Sequence, residues 1–139
     1  MRSVLDLVKA GQLWTLPPRP DRAAAARQVL HVHSMRIQPD CTILELAGEI
    51  DMLTTWLLAE RLDEHLSEEV RLIVLDLSDV TFLSAGGLNV LVIADDYARA
   101  RGVTISITGC GGLVRVFEMA GLRERFHFVA DHQSLVDQC

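Results

Sequence analysis

The sequence predicts an α/β fold, a single domain built on a mixed, mostly parallel sheet of four to five strands with about four helices. Three observations carry this prediction. After an opening hairpin, predicted strands and helices alternate, which is the order of right-handed βαβ units. Arg71–Leu77 is a nearly continuous apolar run, as expected for a strand covered on both faces. The chain has 139 residues, half of them hydrophobic, enough to build one core.

The first 30 residues are predicted to form an arm, separate from the domain of residues 31–139. The run Leu16-Pro17-Pro18-Arg19-Pro20 is incompatible with a regular element, because proline fixes φ and restrains the residue before it. Asp21 can cap a short alanine-rich helix over Arg22–Leu30. We expect the arm to be either mobile or packed on the outside of the domain, and its sequence indicates no function.

The domain itself opens with a predicted antiparallel hairpin. Strands over His31–Ile37 and Thr42–Gly48 are joined by a tight turn at Gln38-Pro39-Asp40. A helix follows over Thr54–Leu66, because leucines recur at every fourth position along one face of it. The strand Arg71–Leu77 comes next.

The alternation continues beyond Gly87. A helix is predicted from Leu88 to about Arg101, ended by Gly102 as a C-terminal glycine. Apolar and polar residues alternate over Val103–Ile107, the period of a strand with one wetter face. The last predicted elements are a helix closed by Gly121, a strand over Phe126–Val129 and a terminal helix capped by Asp131.

Composition and charge exclude several classes of function. The formal charge is −6 and there is no Lys/Arg run, which argues against nucleic acid as a partner but allows one with a basic surface. The apolar run Leu88–Ala94 is stopped by Asp95, well short of the roughly 18 residues of a membrane span. Asp6 and Lys9 interrupt what would be the hydrophobic region of a signal peptide. We therefore expect a cytoplasmic protein without a membrane partner.

The cysteines and histidines predict neither a metal nor a cofactor. Cys41, Cys110 and Cys139 lack metal-type spacing and are expected to be free thiols. Cys110 precedes a predicted helix, where a thiolate is stabilised, so a regulatory redox role for it stays open. His31 and His33 share one face of a strand, but zinc needs about four ligands. No nucleophile elbow, Walker loop or dinucleotide fingerprint follows a strand, so we expect no enzyme.

The turn Ser84-Ala85-Gly86-Gly87 lies between an apolar strand and a long apolar helix. The start of such a helix exposes backbone N–H groups and a positive dipole end, which suits negative charge. Ser84 carries the only hydroxyl of the turn. What lies on this turn therefore decides whether the domain can be switched by phosphate.

Three motifs in order resemble the STAS domain family, in particular bacterial anti-sigma factor antagonists. They are Gly48-Glu49-Ile50-Asp51 after the second strand, the block from Leu75 to Leu88 (LDLSDVTFLSAGGL), and Gly121-Leu122 with Phe126. The resemblance spans about His31 to Cys139. It implies a STAS-type fold and a protein that docks onto a kinase-like anti-sigma factor and displaces the sigma factor.

The resemblance also implies a regulatory site, which this chain alters. The family's aspartate falls on Ser84, the next serine on Ala85, and the phosphorylated Ser or Thr on Gly86, whereas Gly87 and Leu88 match. Glycine has no hydroxyl, so phosphate cannot be installed at residue 86. The predicted protein is an antagonist that is always competent to bind, or one regulated by other means. Its predicted partner-binding residues are Asp51, Ser84, Ala85, Gly86, Gly87 and Leu88.

Several of these residues admit two interpretations. Ser84 is either a displaced phosphate acceptor or a cap for backbone donors at the helix start. Asp51 either contacts the partner or caps the helix at Thr54. Gly86 and Gly87 serve a positive φ or close approach of a partner, or simply a permissive turn.

Large apolar side chains raise the same question elsewhere. Those of Leu88–Ala94 face a partner or a second copy in a homodimer, or else pack under the arm. Trp56 is expected in the core, with a partner surface as its alternative.

One other function class remains open, together with a variation on the antagonist hypothesis, and a further class is disfavoured. A small-ligand or nucleotide sensor would use two glycine-rich turns that follow neighbouring strands, Ser84–Gly87 and Thr108–Gly112, because open α/β sheets bind ligands there. A redox-regulated antagonist would use Cys110. A receiver-like protein phosphorylated on Asp76 or Asp51 is disfavoured, because Lys9 is the only lysine and the paired acidic residues of such proteins are absent.

Overall fold

Five strands form one sheet in the computed structural model, which describes residues 3–11, 20–109 and 111–129. They are β1 (Leu30–Gln38), β2 (Cys41–Ile50), β3 (Leu72–Leu83), β4 (Thr104–Thr108) and β5 (His127–Val129). The sheet order is β1-β2-β3-β4-β5. β1 runs antiparallel to β2, and the other neighbouring pairs are parallel. The predicted mixed, mostly parallel sheet is confirmed.

Five α-helices lie among the described residues. They are α1 (Val4–Gly11), α2 (Pro20–Val29), α3 (Thr55–Leu66), α4 (Ala85–Ala100) and α5 (Val114–Met119). A single 3-10 turn at Gly111–Leu113 leads into α5. Between β2 and β5 helices alternate with strands, as the sequence predicts for parallel pairing.

The strand β3 ends at Leu83, six residues beyond the predicted end at Leu77. Its pairing with β2 continues to the end of both strands, through two shifts of register. Because of these shifts, the later part of β3 buries only every third residue, Val80 and Leu83. A strand that changes phase in this way does not show the alternation by which sequence analysis finds strands.

The N-terminal helix α1 was not predicted, and it packs against α3 and α4. Val4 and Val8 are fully buried within the same hydrophobic cluster as the rest of the core. The carboxylate of Asp63 on α3 accepts hydrogen bonds from Val4 N at 2.6 Å and Leu5 N at 2.9 Å. This part of the predicted arm is therefore packed on the domain, while the boundary between arm and domain stays a prediction.

The helix predicted in the arm over Arg22–Leu30 is displaced slightly from its expected position. α2 begins at Pro20, and Leu30 is already the first residue of β1. Leu30 pairs with Gly48, whose φ of +115° and contact with Val29 leave no space for a side chain. Most of the proline-rich run lies outside the described residues.

Most of the apolar stretch of α4 packs into the interior of this chain. Leu88, Val90, Leu91 and Ala94 are buried in the main cluster, and Val92 and Ile93 pack against it. α1 packs against α4 and covers part of its apolar surface, which agrees with the interpretation that the arm lies over this helix. Trp56 is 4% exposed and belongs to the core, as predicted.

Some expectations concern residues that the structure does not describe. Cys110, Cys139 and the terminal helix predicted from Asp131 lie outside the described ranges. Within those ranges, no helix has the length and apolar character needed to cross a membrane. No group of three or more potential metal ligands occurs in the same ranges, and His31 and His33 are exposed on β1.

Candidate functional site

Parallel pairing brings the predicted site residues to one end of the sheet. Ile50 and Leu83 are partners at the ends of β2 and β3. Just beyond them, Ser84 N donates a hydrogen bond to the carbonyl oxygen of Ile50 at 2.9 Å. Asp51 follows Ile50, so the two separate sequence motifs meet at this end of the sheet.

Ser84 caps the N-terminus of α4. Its backbone is extended (φ −77°, ψ 167°), and its hydroxyl oxygen accepts a hydrogen bond from Gly87 N at 3.0 Å. Its carbonyl oxygen accepts from Leu88 N at 3.0 Å. These bonds satisfy two donors of the first helical turn, which is the capping role that the sequence offered as one interpretation. The helix thus starts at Ala85, three residues before the predicted start at Leu88.

The glycines of the turn are helical, and neither needs a positive φ. A β-carbon added at Gly87 would lie 2.6 Å from Ile50 Cγ2 and 2.8 Å from Leu83 Cδ1, far inside normal contact distance. Gly87 thus lets α4 approach the ends of β2 and β3 closely. The prediction of a positive φ is therefore wrong for both Gly86 and Gly87. Gly87 is instead explained by the close approach of α4 to β2 and β3.

Asp51 organises the turn that enters α3. Its Oδ1 accepts hydrogen bonds from Leu53 N at 2.9 Å and Thr54 N at 3.2 Å. Thr54 Oγ1 in turn accepts from Asp51 N at 2.9 Å and donates to the carbonyl oxygen of Glu49 at 2.9 Å. These contacts support the capping interpretation of Asp51, whose side chain is only half-buried.

Two exposed apolar side chains at the same end were missed by the sequence analysis. Met52, next to Asp51, is 65% exposed, and Phe82, near the end of β3, is 49% exposed. Phe82 points away from the core because the register of β3 shifts before it. Met52 lies in a turn, where no periodic pattern predicts whether an apolar side chain is buried or exposed. The only available signal was a large apolar residue next to the first motif, Met52, and another within the second motif, Phe82.

The second glycine-rich turn lies at the end of β4. Gly109 has a φ of +69°, and a β-carbon there would come within 2.1 Å of Ser78 Oγ. Ser78 donates hydrogen bonds through both its N–H and its hydroxyl to Asp76 Oδ1. A groove of about 300 Å³ opens here, lined by Leu77, Ser78, Val80, Thr81, Gly109, Gly111, Gly112 and Leu113. Its described lining contains no cationic side chain.

A charged cluster lies farther along α4, away from the turn. Asp95 Oδ2 is 2.9 Å from Arg99 Nε and 3.6 Å from Arg125 Nε, and the aspartate side chain is 4% exposed. Burial raises the pKa of Asp95 above its ordinary value, although the two guanidinium groups oppose this shift. The cluster joins α4 to the segment that leads into β5.

With the geometry established, comparison with known proteins assigns the family. The family model of the STAS domain matches residues 33–135. The chain belongs to the STAS domain family. The three motifs of the sequence resemblance lie within the matched residues, so the resemblance predicted the family correctly.

Solved STAS structures share this fold at low sequence identity. An anti-sigma factor antagonist from Mycobacterium paratuberculosis matches with a TM-score of 0.67 and 20% identity, over 88% of this chain and 97% of that one. The Bacillus cell fate determinant SpoIIAA in its phosphorylated form matches with a TM-score of 0.62 and 12% identity, over 78% and 99%. A sulfate transporter family protein from Wolinella succinogenes matches with a TM-score of 0.50 and 19% identity, over 76% and 93%. At these identities the likeness establishes the fold alone.

Proposed function

We propose that this STAS protein is an anti-sigma factor antagonist that acts in the cytoplasm, binds a kinase-fold anti-sigma factor and thereby releases sigma. We further propose that it does so without a serine phosphorylation switch. The observation that carries the proposal is the turn at the start of α4. Residue 86, which corresponds to the phosphate acceptor of the family, is glycine, and the nearby hydroxyl of Ser84 caps the helix.

In the proposed mechanism, this chain competes with sigma for the anti-sigma factor. The chain itself undergoes no chemical step. Asp51, Ser84, Ala85 and Gly86 lie close together at one end of the sheet and are partly or fully exposed, so a single partner surface can contact them together. The other two predicted partner-binding residues, Gly87 and Leu88, are buried beneath them and can act only by shaping this turn. In a phosphorylated relative, a phosphate would add nearly two negative charges to such an interface. Since residue 86 has no hydroxyl to accept phosphate, release of the partner would not depend on phosphorylation at this position.

Ser84 is a poor substitute for the missing acceptor. Its hydroxyl lies two residues before residue 86, and its oxygen already accepts a hydrogen bond from Gly87 N. Phosphoryl transfer requires the attacking oxygen in line with the γ-phosphate, so a displacement of this size misplaces it.

A kinase assay with the cognate anti-sigma factor tests the proposal. The wild-type chain should displace sigma from the complex and incorporate no phosphate when labelled ATP is added. Gly86→Ser, which restores a hydroxyl at the family position, is the matched positive control and should become labelled. Stoichiometric phosphate on the wild-type chain at residues 84–88 would refute the absence of the switch. Failure to bind any anti-sigma factor would refute the proposed function itself.

The groove beside Gly109 favours a second candidate function, a small-ligand or nucleotide-sensing module. It lies at the C-terminal end of β4, where the pairing of β3 with β4 stops, and open α/β sheets commonly bind ligands at the C-terminal ends of their strands. Thermal shift measurements with GTP, ATP and simple anions test it, since a module that only binds protein should not respond. A redox-regulated antagonist stays a prediction, because Cys110 lies outside the described residues; alkylation that leaves partner affinity unchanged would refute it.

A further inference from the structure

An exposed patch beside the proposed docking turn combines apolar and acidic side chains. We call Glu49, Met52, Asp79 and Phe82 the acidic-apolar patch. Met52 and Phe82 are two of the three large hydrophobic side chains that are exposed in the described part of the chain. Glu49 and Asp79 are exposed as well. The four residues come from the ends of β2 and β3 and from the turn after β2.

The pairing of β2 with β3 holds the patch together. Glu49 is the direct partner of Phe82, so their side chains lie next to each other on one face of the sheet. Asp79 lies three residues before Phe82 and pairs with Ala47, two residues before Glu49. The hydroxyl of Thr81 donates to the carbonyl oxygen of Gly48 and fixes the strands at this point. The patch is therefore built on paired backbone, and the register shifts of β2 and β3 bring Asp79 and Phe82 to the same face of the sheet.

The negative charge of the patch is not compensated by the surrounding chain. Residues 37–60 and 72–98, which include the whole patch, contain no lysine, arginine or histidine. No ion pair to Glu49 or Asp79 occurs among the described residues, whereas Arg36, Arg71, Arg99 and Arg125 are paired with acids elsewhere. An uncompensated acidic rim beside exposed apolar groups favours a partner that supplies positive charge.

We propose that the acidic-apolar patch binds a protein surface on which lysine or arginine side chains surround an apolar recess. This inference rests on the proposed function and specifies the chemistry of the partner's surface. Phe82 and Met52 act as the apolar anchors that enter the recess, and Glu49 and Asp79 face the cations at its edge. The chain's own net charge of −6 opposes a second copy of itself as the occupant.

Charge reversal tests the electrostatic half of the proposal. The association rate of the full chain with the anti-sigma factor is measured at about 0.1 M and about 1 M salt, where the Debye length falls from about 10 Å to about 3 Å. Glu49→Lys should lower the rate about 10-fold at the lower salt concentration, and this loss should shrink at the higher one. Glu69→Lys makes the same change of charge at an exposed residue near the start of β3, the opposite end of the sheet, and should have little effect.

Truncation of the anchors tests the apolar half. Phe82→Ala and Met52→Ala should each weaken binding about 10-fold or more, mainly through faster dissociation. Met119→Ala is the matched control, since Met119 on α5 is 82% exposed and lies outside the patch. All five substituted side chains are exposed, so thermal melting should show that each variant remains folded.

The outcomes separate this inference from the function on which it rests. If the wild-type chain binds the anti-sigma factor and neither Glu49→Lys nor Phe82→Ala changes this binding, the proposed role of the patch is refuted. The proposed antagonist function is then unaffected. Faster association of Glu49→Lys overturns the assignment of a cationic partner surface. If the wild-type chain binds no anti-sigma factor, both proposals fail.

Discussion

The cap formed by Ser84 predicts a measurable loss of stability when its hydroxyl is removed. In Ser84→Ala, the N–H of Gly87 loses the acceptor that lies 3.0 Å away. Loss of an N-cap side chain costs between about 0.5 and 2 kcal/mol of the free energy of unfolding. Gly87 is buried, so water cannot readily replace the lost acceptor, and we expect a cost in the upper half of this range, about 1–2 kcal/mol. Urea denaturation should show a lower midpoint with an unchanged slope.

Ser84→Asp separates the cap from other effects of the position. Aspartate keeps an oxygen acceptor for Gly87 N and places negative charge at the positive end of α4, so this variant should stay within about 0.5 kcal/mol of the wild type at neutral pH. The reasoning is refuted if Ser84→Ala unfolds at the wild-type urea concentration. It is equally refuted if Ser84→Asp loses as much stability as Ser84→Ala.

Three further substitutions test other contacts. Asp63→Ala should cost about 1.5–3 kcal/mol and speed hydrogen exchange in α1, because Val4 N loses its charged acceptor. Gly87→Ala should destabilise by about 1–2 kcal/mol in urea, since overpacking against Ile50 outweighs the gain in helix propensity. Burial raises the pKa of Asp95, so its carboxyl group binds a proton more tightly in the folded protein than in the unfolded chain. The stability that this proton contributes is lost as the pH rises from about 4, the ordinary pKa of aspartate, through the raised pKa. In Asp95→Asn, the free energy of unfolding should therefore rise more steeply with pH over this window than in the wild type.

Each of these predictions has a control or a contradicting result. Glu60→Ala, one turn before Asp63 on α3, should leave exchange in α1 unchanged. Gly112→Ala should be nearly neutral, because an added β-carbon there meets nothing within 4 Å. For Asp95→Asn, a dependence of stability on pH identical to that of the wild type would contradict the assignment.

Sequence patterning located the regular elements well where one period persisted. The leucine spacing found α3, and the apolar run found the first half of β3, because each pattern reports which face is buried. The pattern failed in the second half of β3, where register shifts change the phase. It also failed for α1, whose short apolar face becomes informative only when α3 and α4 are present to cover it.

For the candidate site, too, the sequence predicted some features and the structure was needed for others. The motifs around Asp51 and Ser84 were visible in the sequence, and the missing hydroxyl of residue 86 needs no structure at all. The sequence could not show which of its two roles Ser84 plays, because a hydroxyl can either cap a helix or accept phosphate. The hydrogen bond to Gly87 N supports the cap.

By itself, the sequence determined the family, the mostly parallel sheet and the absence of an acceptor at Gly86, because each depends on residue identity or on a local repeat. Tertiary structure alone decided that Gly87 must be small, that α1 is held by Asp63, and that Phe82 is exposed beside Glu49. These properties arise from contacts between residues far apart in the chain. The register of two paired strands and the docking of a helix fix such contacts, and no local pattern records them.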